Sequence, residues 1–245
     1  MKLKNKIAVI TGAAAGIGRG TAIKFAMEGA KLALIDINRE LLDVTAAELE
    51  KYNTEVVCYT CDISNESAVY ECFADINEKF GRVDILVNNA AIWRSHKPFT
   101  ELTTDEWRLF FDINVMGTVY CTKAVIDGMI EREYGRIINI ASVAGVYGNR
   151  NMSHYSATKG AIISFTKALA KEVTDKGVLV NAVSPGSVNS ASDRDPNAHA
   201  PGELCFMGRS GTHMENANLI AFLASDDASY IAGQNIQIDG CRKKQ

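Results

Sequence analysis

Short apolar runs rich in Val, Ile and Leu alternate with longer amphipathic stretches along the whole chain, and that rhythm leaves few folds open. The runs fall at 6–11, 31–36, 56–62, 84–89, 136–141, 179–184 and 236–239. They have strand length, and the segments between them are helical in character, so the pattern reads as repeated strand–helix–strand units. The runs are continuously apolar rather than alternating, as in strands covered by helices on both faces. The expected architecture is α/β, a doubly wound parallel sheet of about seven strands with helices above and below. The clearest helices are expected at 105–131 and 153–174, the second with Ser153 as N-cap and an end near Gly177. No repeat or low-complexity linker divides residues 1–245, which predicts a single domain.

Composition excludes several classes. Hydrophobic residues make up 47% and charged residues 22%, so the chain is globular rather than disordered. A net charge of -3 without a basic cluster argues against nucleic acid, and Lys243 and Lys244 are too few to change that. Residues 1–4 run directly into the first strand, and no apolar run approaches the roughly 20 residues of a bilayer span. A cytoplasmic protein with no membrane partner is expected. The six cysteines are scattered and predicted to be free thiols; Cys58 and Cys61 form a CxxC, but residues three apart on a strand face opposite sides. The four histidines lack metal-site spacing, so no metal is expected.

The first run leads into Thr11-Gly12-Ala13-Ala14-Ala15-Gly16-Ile17-Gly18, where glycines permit a tight turn before a helix starting near Ile17. Such a helix N-terminus receives a pyrophosphate through its N–H groups and dipole. The second run ends at Asp36, where a carboxylate meets the adenine ribose. It accepts bonds from a 2′-OH and repels a 2′-phosphate, which favours NAD over NADP; Arg19 and Arg39 are nearby cations that soften the preference. Asp36 also reads as a cap for the helix from Asn38.

Tyr155 and Lys159 lie four apart on the 153–174 helix and share a face. A tyrosine with an ordinary pKa near 10 acts as a base at neutrality only if that pKa is lowered, which a neighbouring ammonium does. Ser142 ends the fifth run, on the sheet edge where doubly wound folds bind ligands, and can donate to a substrate carbonyl. Asn114 sits inside the 105–131 helix, where Asn has poor propensity, and so is read as serving something besides the helix. Residues 187–208, with Pro196, Asn197, Pro201 and Gly202, lack periodicity and read as a lid over a ligand.

TGAAAGIG at 11–18, NNAA at 88–91, Asn114, Ser142, YSATK at 155–159 and Pro185-Gly186 together resemble the short-chain dehydrogenase/reductase family over nearly the whole chain. The resemblance implies a Rossmann-type sheet of order 3-2-1-4-5-6-7 and an NAD-dependent oxidoreductase interconverting a secondary alcohol and a ketone. It implies a catalytic tetrad of Asn114, Ser142, Tyr155 and Lys159, with a proton relay through water near Asn114. Cofactor contacts are implied for Gly12, Ala15, Gly16, Ile17, Gly18, Asp36 and Ile37. They are implied also for Asp62, Ile63, Asn88, Ala90, Tyr155, Lys159, Pro185, Gly186, Val188 and Ser190. Pairing of the long helices between subunits implies a homotetramer or homodimer. Ser190 stands where the family often has Thr, and Asp239-Gly240-Cys241 replaces the usual Asp-Gly-Gly before a short basic tail.

An alternative within the same chemistry is a 3-oxoacyl-carrier-protein reductase using NADPH. Asp36 weighs against it, as does Glu133, where those reductases often carry an arginine for the acidic carrier; Lys176 remains basic. A non-catalytic NAD-sensing or scaffold protein is the alternative of another class, disfavoured by the complete tetrad. By analogy the substrate pocket draws on 92–96, 144–152 and the lid. Trp93, Ala144, Val146, Tyr147, Met152 and Phe206 offer apolar surface for a hydroxysteroid or other alicyclic alcohol. Arg94, His96, Asn149, Arg150 and Arg194 suit a sugar, polyol or anionic substrate, and each equally reads as solvated surface.

Overall fold

The computed structural model describes residues 1–189 and 195–243. Seven strands form one sheet: β1 (Ile7–Thr11), β2 (Lys31–Asp36), β3 (Val56–Thr60), β4 (Ile85–Asn88), β5 (Gly135–Ile140), β6 (Val178–Pro185) and β7 (Asn235–Ile238). Their order is β3-β2-β1-β4-β5-β6-β7, and every pairing is parallel. The helices are α1 (Gly16–Met27), α2 (Arg39–Leu49), α3 (Glu66–Phe80), α4 (Thr104–Phe111), α5 (Gly117–Glu131), α6 (Val143–Tyr147), α7 (Ser153–Val173) and α8 (His213–Ala224).

The two-residue period of the strands sorts side chains into two apolar layers. Ala8 and Ile10 pack with Ile23 of α1, Leu42 of α2 and Ile220 of α8. Val9, between them, points the other way, into the layer of Phe73 from α3, Val125 from α5 and Val173 from α7. That double cover explains why β1, β4, β5 and β6 are buried along their whole length, while edge strands β3 and β7 are half-exposed. Cys58 and Cys61 go to opposite layers, as their spacing predicts, and all six cysteines are free. The strand sequence reverses direction between β1 and β4, which opens a crevice at the carboxyl ends of the strands.

Three expectations need correction. The stretch Thr104–Glu131 is long and apolar enough, by length and composition, to cross a bilayer (mean hydropathy 1.3 over an 18-residue segment of it), although no unbroken apolar run suggested one. Its apolar residues are interspersed with polar ones, and it lies along the sheet with Cys121, Val125 and Met129 in the core. It is also not one α-helix, because a π-helical turn at Asp112–Met116 separates α4 from α5. Ser153 is not an N-cap. Met152, buried and held by a bond from its N–H to the Asn149 carbonyl (3.2 Å), takes the cap position without a capping side chain.

Candidate active site

The chain leaves β1 at Thr11 and enters α1 through a turn in which Gly12 (φ 65°) and Gly16 (φ 59°) are left-handed. A Cβ at Gly18 would lie 2.0 Å from the Gly12 carbonyl oxygen, so the helix seats on the turn only without a side chain there. A Cβ at Gly16 would meet nothing within 4 Å, and this open face lines the crevice. The N-cap Ala15 offers no capping side chain and the first turn holds no acid, so its N–H groups remain available to an anion. These features fit a dinucleotide pyrophosphate. Asn89 ties the turn to β4, its Nδ2 donating to the Thr11 and Gly12 carbonyls at 3.0 Å each. Thr11 Oγ1 accepts from the N–H groups of Asn89 (3.0 Å) and Ala90 (3.1 Å).

Asp36 lines the crevice at the end of β2. Its Oδ2 accepts from Ala14 N–H and its Oδ1 from Asn38 N–H, both at 3.0 Å, so one carboxylate both braces the glycine turn and starts the next. The helix cap itself is Asn38. Arg19 and Arg39 do not neutralise Asp36: Arg19 pairs with Glu48 at 2.5 Å and Arg39 with Asp43 at 2.8 Å.

The same crevice is lined by Gly12, Ala15, Ile17, Ala90, Pro185, Gly186, Val188, Ser142, Tyr155, Lys159, Trp93, Asn149 and Met152. Other expected residues are placed elsewhere. Asn88 shares strand parity with Leu86 and turns into the α5 layer, where its Nδ2 donates to Thr122 Oγ1 (3.1 Å) and Asn139 Oδ1 (2.9 Å). Ile63 is buried in that layer too, and Asp62 accepts from Ser64 N–H and Oγ. Gly18 and Ile37 flank the lining without joining it; Ala144 is buried, and Tyr147 donates from Oη to Gln237 Oε1 (2.7 Å). Ser190 and Arg194 lie outside the described residues.

Ser142 caps α6, its Oγ accepting from Ala144 N–H at 3.1 Å, and it lines the crevice beside Tyr155, whose tyrosinate it favours. Gly145 makes this approach possible, because a Cβ there would lie 2.5 Å from the Lys159 carbonyl carbon. Lys159 is buried, its Nζ donating to the Ile140 carbonyl (2.6 Å) and lying 5.8 Å from the Tyr155 ring centroid. Burial pushes the Lys159 ammonium down to about 8. Burial likewise pushes the Tyr155 hydroxyl up, opposed by Ser142. The direction at Tyr155 is thus set by burial rather than by the expected lowering from Lys159, whose Nζ is turned to the Ile140 carbonyl.

Asn114 sits in the π-helical turn, buried. Its Oδ1 accepts from Ile92 N–H (2.8 Å), and its Nδ2 donates to the Ile92 carbonyl (3.0 Å) and to Thr158 Oγ1 (3.2 Å). Thr158 Oγ1 donates in turn to the Tyr155 carbonyl (2.8 Å). Asn114 thereby clamps the segment after β4 to the helical turn carrying Tyr155 and Lys159, without lining the crevice itself.

Beside Tyr155, His154 is fully buried against Phe110 and Trp107, and neither ring nitrogen has a partner among the described residues. Burial lowers its imidazole below 6.5, so the folded state takes up the proton less readily than the unfolded chain. Stability should therefore fall as pH drops through 6.5. His154→Phe should remove that acid-side loss and add about 1 kcal/mol by eliminating unsatisfied nitrogens. Urea titrations at about pH 7.5 and pH 5.5 check this; equal pH slopes for both proteins would refute it.

A doubly wound sheet bearing an anion-receiving glycine turn, an acid at the end of β2 and a Ser–Tyr–Lys group in one crevice defines an oxidoreductase that works with a nicotinamide dinucleotide. Residues 12–241 match the family model described as enoyl-(acyl carrier protein) reductase. The chain is 37% identical to the 3-oxoacyl-[acyl-carrier-protein] reductase FabG of Thermotoga maritima, covering 98% of each. It is 38% identical to the 2-dehydro-3-deoxy-L-rhamnonate dehydrogenase (NAD(+)) of a Sphingomonas species, over 97% of this chain and 95% of that one. Among solved structures it resembles an NAD+-bound xylitol dehydrogenase, with a TM-score of 0.91 and 33% identity over 98% of this chain and all of the other. The chain belongs to the short-chain dehydrogenase/reductase family, and it is an oxidoreductase acting on CH–OH groups.

Proposed function

We propose that this enzyme uses NAD to interconvert a small secondary alcohol and its ketone, with Tyr155 carrying the proton. The observation that carries the reading is the Ser142–Tyr155 pair beside buried Lys159, open to the same crevice as the glycine turn. NAD, when bound, supplies the hydride acceptor for the carbinol carbon. Tyr155 Oη takes the hydroxyl proton, while Ser142 Oγ holds the same substrate oxygen. Lys159 supplies the positive charge that favours the tyrosinate, and Asn114 fixes the helical turn bearing both. Ala90 and the Pro185–Val188 turn border the nicotinamide side. Asn88, Asp62 and Ile63 contribute backbone atoms at strand ends, their side chains being engaged elsewhere. We further place residues 1–245 in one domain, the protein in the cytoplasm, and its subunits in a homotetramer or homodimer.

The unneutralised carboxylate of Asp36 supports NAD over NADP. Asp36→Asn keeps an oxygen for Ala14 N–H and removes the charge. It should narrow the preference for NAD over NADP by about tenfold or more, as loss of charge-assisted bonds of about 1.5–3 kcal/mol implies. Comparing kcat/KM with both cofactors tests this. Wild-type activity confined to NADPH and acyl thioesters would instead favour a carrier-protein reductase.

A further inference from the structure

We propose that the substrate is a hydroxy or oxo acid whose carboxylate is held at the mouth of the crevice by Arg94 and Arg242. The inference rests on the dehydrogenase reading and adds a substrate class to it. Among the described residues, Arg19, Arg39, Arg82, Arg108, Arg136 and Arg209 each pair with a carboxylate. Arg132 donates to the Val83 carbonyl. Besides Arg132, the described arginines not paired with a carboxylate are Arg94, Arg150 and Arg242, and Arg94 and Arg242 sit on segments that meet through Asn149 at the Tyr155 end of the crevice.

Arg94 lines the crevice with its guanidinium 5.3 Å from the Trp93 ring centroid. Lys97 N–H donates to the Asn151 carbonyl (3.0 Å), which ties this segment to the one bearing Asn149 and Arg150. Asn149 also lines the crevice, and its Oδ1 accepts from Arg242 Nη2 at 3.0 Å. Arg242 is not on a loose tail. Phe206 N–H donates to the Cys241 carbonyl (2.9 Å), Met207 N–H to the Gly240 carbonyl (3.2 Å) and Lys243 N–H to the Leu204 carbonyl (2.9 Å), leaving Arg242 half-buried at the rim. Among the described crevice-lining residues Asp36 is the one carboxylate, and it is committed to the glycine turn. Arg94 on the crevice wall and Arg242 on Asn149, neither paired with a carboxylate among the described residues, favour a planar oxyanion, which arginine binds through paired N–H donors. In the reaction, the C–H electron pair of the hydroxy acid passes to bound NAD as hydride and the hydroxyl proton to Tyr155. The product is the oxo acid, with its carboxylate unchanged.

Matched pairs test this: xylonate against xylitol, and 3-hydroxybutanoate against 2,3-butanediol, with glycerol 3-phosphate as the phosphate arm. The acid of at least one pair should be favoured about tenfold or more in kcat/KM. Arg242→Gln should raise KM for the acid about tenfold, with kcat within about twofold and the neutral partner unaffected. Equal or better use of the neutral partners, a KM rise shared by both members, or preference for glycerol 3-phosphate would overturn the assignment. Tyr155-dependent oxidation of neutral alcohols alone would leave the dehydrogenase reading standing and remove this one. If neither pair is oxidised, calorimetry of the NAD-loaded protein decides, and failure to bind the acids over the neutral partners overturns it.

Discussion

Tyr155→Phe should lower kcat by about a thousandfold or more while leaving NAD affinity within about twofold of wild type. The substitution removes one hydroxyl and keeps the ring, so the packing of α7 against α6 and the burial of Lys159 are preserved. In the proposed mechanism, what disappears is the proton carrier beside Ser142. The loss would fall on the step that Ser142 also serves, because that mechanism has both groups address the substrate oxygen. Absorbance of the reduced nicotinamide reports turnover, and quenching of protein fluorescence on titration with NAD reports binding. Retention of more than about a tenth of wild-type kcat would show that another group moves the proton, since positioned acid–base catalysis contributes about a hundredfold to ten-thousandfold. Joint loss of turnover and NAD binding would point instead to disruption of the crevice.

Lys159→Met should separate function from stability in opposite directions. An ammonium at 3% exposure, with its pKa pushed from 10.5 to about 8, is held in the fold at a cost. A difference of that size corresponds to about 3 kcal/mol at most when the group is charged. The sign follows from proton uptake: the unfolded chain binds the proton more tightly, so the penalty is complete below pH 8 and vanishes as pH rises toward 10.5. The methionine protein, free of NAD, should therefore be more stable at neutral pH, with the two proteins converging in alkali. Its activity should fall by about a hundredfold or more, because the charge proposed to favour the tyrosinate is gone. Urea midpoints across that pH range measure the first effect; a wild-type protein with no rise in stability above pH 8 would refute the account.

The strands were legible because helices cover both sheet faces, so their residues are apolar without interruption; β2 coincides with its expected bounds, and β1 starts one residue later than expected. The glycine turn and the Tyr155–Lys159 spacing were legible for a related reason, being local in sequence. Legibility failed where one residue decides a face. Asn88 and Asn89 are chemically identical, yet strand parity sends the first into the core and the second onto the glycine turn. Counting from Leu86 would have separated them. It failed again where contacts join backbone to backbone across long separations. The bonds between 204–207 and 240–243 involve N–H and carbonyl groups that every such residue has, so no residue type announces them. Ser153 was misread because a serine before an apolar stretch resembles a cap, whereas the preceding turn at Asn149–Met152 delivers the chain one residue earlier.

The π-helical turn at Asp112–Met116 makes chain length itself a functional quantity. Such a turn accommodates one residue more than regular helix would, and each residue advances a helix by about 100°. Deleting a single residue there would yield a straighter and locally better-bonded helix. It would also rotate Cys121, Val125 and Met129 away from the sheet, or else swing Asn114 away from Ile92 and Thr158. Either half can keep its alignment, but not both. Substitutions within this turn that preserve Asn114 should thus be far better tolerated than the loss of any one residue, whatever its type: the irregularity works as a spacer between two gear teeth, and its count matters more than its lettering.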